Sequence, residues 1–180
     1  MLRIGEGGRR EIALLRWGLI PSWAKDEKFG ARCINARAET VAEAPSFRAA
    51  FKARRCLIPA DGFYEWQKVD EAKQPHRITM GNGGPFSFAG LWERWTKGPE
   101  PIETFTIVTG APNELVRPIH DRMPVILDPA DYDAWLEARD PAIPSALLRP
   151  FPTERMRTYP VSTRVNSTRN DDPELVAPIG

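Results

Sequence analysis

The chain has 180 residues, 42% of them apolar and 27% charged, with a formal net charge of +1. These values fit one globular domain, residues 1–180, large enough to bury a core without disulfides, and the charge does not by itself demand an acidic partner. Two cysteines and two histidines with no CxxC pair exclude a disulfide scaffold and argue against a zinc or other metal site, so no cofactor is expected.

No apolar run approaches the length that spans a bilayer, and MLRIGEGGRR at the start has no apolar signal core. A monomer in the reducing cytosol, with no membrane contact, is therefore expected. Of the 25 basic residues six are lysines and 19 are arginines. Arginine suits bidentate phosphate contacts, which leaves room for a local basic face.

In chain order, EIALLRWGLI (11–20) is a short apolar, β-compatible run closed by Pro21. ARCINARAET (31–40) alternates, with Cys33, Asn35 and Arg37 on one parity and Arg32, Ile34 and Ala36 on the other. PSFRAAFKARR (45–55) predicts a helix, with Phe47 and Phe51 four apart and the arginines on its polar side. Strands are predicted at 56–66, 76–80, 86–95 and 104–110, with NGGP (82–85) as a hairpin turn. A second helix starts near Asp128-Pro129-Ala130, with Asp128 as its cap, and runs through Trp135 and Leu136. The proline-rich tail adds short extended pieces such as MRTYPVS. The pattern is that of an α+β domain dominated by antiparallel strands.

Three segments hold polar residues where polar residues are costly. On a strand, Asn35 and Arg37 emerge on one face; the bland alternative is a strand end with Arg37 paired to a carboxylate. In DGFYEW, alternation puts Phe63 and Glu65 on one face and Tyr64 and Trp66 on the other. A carboxylate among aromatics loses hydration and becomes a candidate proton carrier, unless it is a structural, arginine-paired glutamate. His120, in PIHDRMPVIL, carries an imidazole that can accept and donate in the same step, and its neighbours Asp121 and Arg122 argue for a polar cleft rather than a core. Trp17 and Trp23 frame WGLIPSW, and Trp23 is the indole expected at the surface, where it could stack on an unpaired base.

Taken together and in this order, WGLIPSWAKD, INARAET, RRCLIPADGFYEW, IVTGAPNE and IHDRMPVIL resemble the SOS response-associated peptidase (SRAP) family from about Trp17 to Asn166. The resemblance implies a mainly antiparallel, barrel-like β-sheet with a few flanking helices. It also implies a protein of the SOS and DNA damage response, in the cytoplasm and at the nucleoid, that recognises abasic sites in single-stranded DNA. Family members form a covalent crosslink through a cysteine that becomes N-terminal when the initiator methionine is removed. Its α-amine forms a Schiff base with the ring-opened sugar and its thiol closes a thiazolidine; the family name adds a peptidase activity, possible here as self-processing. By motif, Asn35, Glu65 and His120 take catalytic roles, and Trp23, Arg37, Thr109 and Arg122 contact DNA. His120 would assist sugar ring opening while Arg122 holds a phosphate beside it.

The family begins Met-Cys-Gly-Arg-Phe, whereas this sequence begins Met-Leu-Arg and has internal cysteines only. It reads either as a sequence whose upstream portion is lost, through truncation or a misassigned start, or as a natural variant without the nucleophile, and as written it is expected not to crosslink. Two alternatives stand beside this reading: a non-covalent single-stranded-DNA binding module, and a thiol hydrolase using Cys33 and His120.

Overall fold

The computed structural model describes residues 1–5 and 7–179 of the chain. The first strands are β1 (Leu2–Ile4), β2 (Arg10–Ile12), β3 (Arg16–Trp17) and β4 (Asn35–Arg37), followed by helix α1 (Arg48–Ala53). Next come β5 (Arg55–Ala60), β6 (Phe63–Val69), β7 (Ala72–Met80), β8 (Phe86–Trp95) and β9 (Ile102–Gly110). The chain then forms β10 (Met123–Pro124), β11 (Ile126–Leu127), helices α2 (Tyr132–Glu137) and α3 (Ala142–Ala146), and β12 (Met156–Pro160).

Nine strands form a branched sheet along β10-β9-β8-β5-β1-β2, with β11 on β8 and with β3 and β4 on β9; β12, β7 and β6 form a separate sheet. The pairing is antiparallel except where β3 and β4 run parallel to β9. The α+β architecture with few helices is as expected, but the sheet is not a barrel. β2 and β10 end the main path without pairing to each other, and the small sheet is a second layer rather than part of a ring.

Alternation on the long central strands creates the two larger cores, beside a small third cluster of Ile20, Ala24 and Trp95. Ala89 and Leu91 of β8, Leu57 of β5 and Val108 of β9 face one side, where Phe51 and Trp135 of the helices cover them. Phe86 and Phe88 of β8 face the other side and pack with Ile78, Met80 and Met156 of the small sheet. Trp135 is completely buried, sets its ring edge-on to Phe51 at 6.1 Å, and donates its indole N–H to Cys56 O at 3.0 Å.

Several sequence expectations are corrected. The predicted strand 56–66 is two strands in two sheets, broken at Asp61-Gly62. NGGP is not a hairpin, because it joins β7 of one sheet to β8 of the other. The tight hairpin lies instead between β6 and β7, where Val69 pairs with Ala72 and Asp70 takes φ 53°. That turn lacks Gly and Asn at its first position, so turn chemistry did not reveal it.

The helix predicted over 45–55 is helical only over Arg48–Ala53, and Arg55 is not on a polar face. It is buried, and its guanidinium donates to the carbonyls of Phe51 (2.6 Å) and Lys52 (3.1 Å) and to those of Trp135 and Ala138. One cation thus covers the carbonyl ends of α1 and α2, where the helix dipoles favour positive charge. At Asp128 the cap forms as expected, its Oδ1 accepting Ala130 N–H at 3.1 Å, although the first turn is 3-10 and the α-helix starts at Tyr132.

Candidate functional site

The parallel pairing of β4 with β9 sets Asn35 opposite Ile107, Ala36 opposite Val108 and Arg37 opposite Thr109. Ala36 and Val108 point into the helix-side core with no exposure. Asn35, Arg37, Ile107 and Thr109 therefore share the opposite face. β10 extends that face, Met123 pairing with Gly110 and Pro124 with Thr109. Facing it are β6, one of the two edge strands of the small sheet, and the turn carrying His120. Between the two sheets lies a cleft of about 660 Å³, lined by residues of both walls together with Trp17 and Phe88. That volume suits a small ligand or a nucleotide unit.

Asn35, Arg37, Glu65, Thr109, His120 and Arg122, scattered over almost ninety positions, all line this cleft. Trp23 does not. Its ring packs edge-on against Phe29 at 5.0 Å and its indole N–H donates to Pro45 O at 3.1 Å, leaving it about half exposed elsewhere on the surface. The indole in the cleft wall is Trp17, which stacks on Phe105 (6.4 Å, 11° between planes) and donates to Ile34 O at 2.8 Å. Its place follows from strand pairing: Trp17 pairs with Phe105, two positions before Ile107 on the same face of β9.

Strand alternation at β6 is as the sequence suggests. Phe63 packs edge-on to Phe88 at 5.7 Å and Gln67 donates to Pro118 O at 3.2 Å, so Glu65 between them faces the cleft. Tyr64 and Trp66 turn to the C-terminal tail, donating to Leu175 O (3.3 Å) and Asn166 Oδ1 (2.7 Å). Burial holds the Glu65 carboxyl above the usual carboxylate range; His120 opposes that rise, Asp121 adds to it, and the Trp66 N–H opposes it.

His120 is fixed by its own turn. The Arg122 N–H donates to Nδ1 at 3.0 Å, and the Arg122 carbonyl oxygen and Asp121 Oδ1 lie 3.2 and 3.3 Å from the same nitrogen. A neutral ring that accepts at Nδ1 carries its proton on Nε2. Arg122 donates from Nη1 to Glu39 Oε1 (2.7 Å) and from Nη2 to Glu39 Oε2 (3.0 Å) and Thr109 O (2.5 Å). That bond to Arg122 holds the Glu39 carboxyl below its usual range. Arg37, by contrast, makes no ion pair among the described residues and stands exposed in the cleft wall.

Cys33 is elsewhere. It is 4% exposed and packs in the helix-side core, with its thiol pushed up by burial. Parity with Asn35 fails because Cys33 ends a 3-10 helix (Glu27–Arg32) in a non-strand conformation before β4 begins. The thiol hydrolase built on Cys33 and His120 is therefore excluded by placement. Met1's amine donates to Ala13 O at 2.8 Å and is also outside the cleft lining. Among the described residues no cluster of His, Cys, Asp and Glu could hold a metal ion, and no helix is long and apolar enough to cross a membrane.

With this geometry in place, the comparisons with known proteins are specific. The family model described as SOS response associated peptidase (SRAP) matches residues 1–168. The abasic site processing protein YoqW of Bacillus subtilis is 49% identical over 177 residues, covering 96% of this chain and 79% of that protein. The abasic site processing protein HMCES of Xenopus tropicalis is 35% identical, covering 97% of this chain and 59% of that larger protein. A crystal structure of a protein from Bacteroides thetaiotaomicron superposes with a TM-score of 0.85 at 34% identity, covering 92% of this chain and 75% of that one.

Proposed function

The chain belongs to the SOS response-associated peptidase family, and from that premise we propose that its cleft binds single-stranded DNA at an abasic site. The observation that carries the proposal is the meeting in one cleft of a half-buried carboxyl whose proton affinity burial raises, an imidazole held by its own turn, and an arginine with no ion pair among the described residues. Arg37, which makes no ion pair among the described residues although Glu39 feels its charge, supplies a positive charge for a backbone phosphate, and Arg122 retains the N–H groups that Glu39 and Thr109 do not use. Trp17 gives a flat, partly exposed ring against which a base can stack.

The chemistry follows from the protons. An abasic sugar must open to its aldehyde, which needs a proton at the ring oxygen; the Nε2–H of His120 is a donor for it. In the family reaction an N-terminal cysteine then attacks C1′ through its α-amine, water leaves, and the thiol adds across the imine to close the thiazolidine. Glu65, holding its proton to higher pH than an ordinary glutamate, can protonate the departing hydroxyl. Asn35, beside them, offers an amide to orient the sugar hydroxyls. Within these 180 residues both cysteines are internal and buried, so neither carries an α-amine beside its thiol.

The wall carrying Trp17, Arg37 and Arg122 would also serve a second reading, a non-covalent single-stranded-DNA module. One experiment separates them: the chain, and the chain preceded by a family segment beginning Met-Cys-Gly-Arg-Phe, are incubated with single strands with and without an abasic site. Preferential binding of abasic strand by both, with a heat-stable adduct only for the extended chain, is expected. Glu65→Gln in the extended chain should slow adduct formation by about 10²–10⁴-fold. Equal binding of intact and abasic strands, with no adduct from either chain, would leave the module reading, and no binding at all would overturn both.

A further inference from the structure

We propose that Glu39 is a positioning residue that sets the proton of His120. This rests on the proposed role of His120 as the donor to the sugar oxygen. Glu39 lies two positions beyond Arg37, just past the end of β4. There Thr109 O accepts both the Ala38 N–H at 2.8 Å and the Arg122 guanidinium at 2.5 Å. The carboxylate of Glu39 and the carbonyl of Thr109 thus form two adjoining acceptors, and Arg122 fills both with a bidentate fork, at 2.7 and 3.0 Å on the carboxylate.

The fork matters because of where Arg122 sits in the chain. Its backbone N–H is the donor to His120 Nδ1 at 3.0 Å. Anchoring the side chain to β4 and β9 holds the peptide of Arg122 where that N–H meets the ring. Nδ1 is kept an acceptor and Nε2 carries the hydrogen. Three groups act in series: Glu39 fixes Arg122, Arg122 fixes the ring, and the ring presents its proton. The Asp121 carboxylate and the Arg122 carbonyl, 3.3 and 3.2 Å from Nδ1, pull the other way, because each would accept a proton held on that nitrogen. Without the fork, the turn is free to let Asp121 win.

The test reads the imidazole directly on the free, ¹⁵N-labelled full chain, on the alkaline side of histidine titration. With only two histidines, His76 and His120, the ring nitrogens are readily assigned. In the wild-type chain His120 should show an unprotonated Nδ1 and a protonated Nε2. In Glu39→Ala the ratio of Nε2–H to Nδ1–H forms should fall by about fivefold, the equivalent of one net hydrogen bond, while His76 is unmoved. Glu39→Asp, which keeps the carboxylate, should restore most of the ratio. An unchanged His120 in folded Glu39→Ala overturns the proposal, as does a wild-type ring protonated on Nδ1. If Glu39→Ala does not fold, Arg122→Lys, which keeps the charge but not the fork, is read in its place with the same two outcomes. No DNA is present, so a failure of strand binding bears on the functional reading and leaves this result standing.

Discussion

Arg37→Ala should flatten the salt dependence of single-strand binding more than Arg122→Ala does. Arg37 and Arg122 line the same cleft, yet their charges are not equivalent. Arg122 is already neutralised by a bidentate Glu39, whereas Arg37 has no ion-pair partner among the described residues. Binding releases a condensed counterion where a cation replaces it at a phosphate, and a cation already held by a bidentate carboxylate replaces less of it. On a single strand each such contact contributes about 0.7 to the slope of log affinity against log salt. Between about 50 and 200 mM salt the wild-type chain should therefore lose about 2.6-fold more affinity than Arg37→Ala, since a fourfold change raised to the power 0.7 is about 2.6. For Arg122→Ala the slope should change by clearly less, although affinity still drops because Glu39 is left facing the strand. Fluorescence anisotropy of a short labelled single strand carrying a stable abasic analogue, titrated at three salt concentrations, measures all three slopes. Identical slopes for wild type and Arg37→Ala would refute the reasoning, and so would a larger change for Arg122→Ala.

Three further outcomes are expected. Because burial raises the proton affinity of Glu65 in the folded chain, its contribution to stability is fullest below the unfolded glutamate range, about pH 4.3, and declines as pH rises through the higher folded value. Glu65→Gln should accordingly gain in melting temperature relative to wild type as pH increases across that window; a relative loss would reverse the assignment. Cys33 and Cys56 are both buried with thiols pushed up by burial, so neither should react with a thiol-specific alkylating reagent until the chain unfolds, and rapid labelling of either in the native state would contradict their placement. The chain as written should give no heat-stable adduct with an abasic strand, and at most a weak borohydride-trapped one, since Met1's amine is held at Ala13 O; a stable adduct without reductant on a denaturing gel would disprove this.

The sequence by itself determined what depends on neighbours along the chain. The parity of INARAET and DGFYEW put Asn35 with Arg37 and Phe63 with Glu65, and the structure keeps both pairings, because a strand's alternation is a local property. The cap at Asp128 was legible for the same reason: its partner is two residues away. Only the tertiary structure decided what depends on which strand lies beside which. The break at Asp61-Gly62 sends one apparent strand into two sheets and opens the cleft between them. Burial of Arg55 needs two helix ends to converge on it, and the parity linking Cys33 to Asn35 ends where a 3-10 turn intervenes. The choice of Trp17 over Trp23 as a cleft wall comes from the pairing of β3 with β9. The clamp of Glu39 on Arg122 spans 83 positions. Contacts of that range follow from sheet order, and residue spacing along a single chain does not encode sheet order.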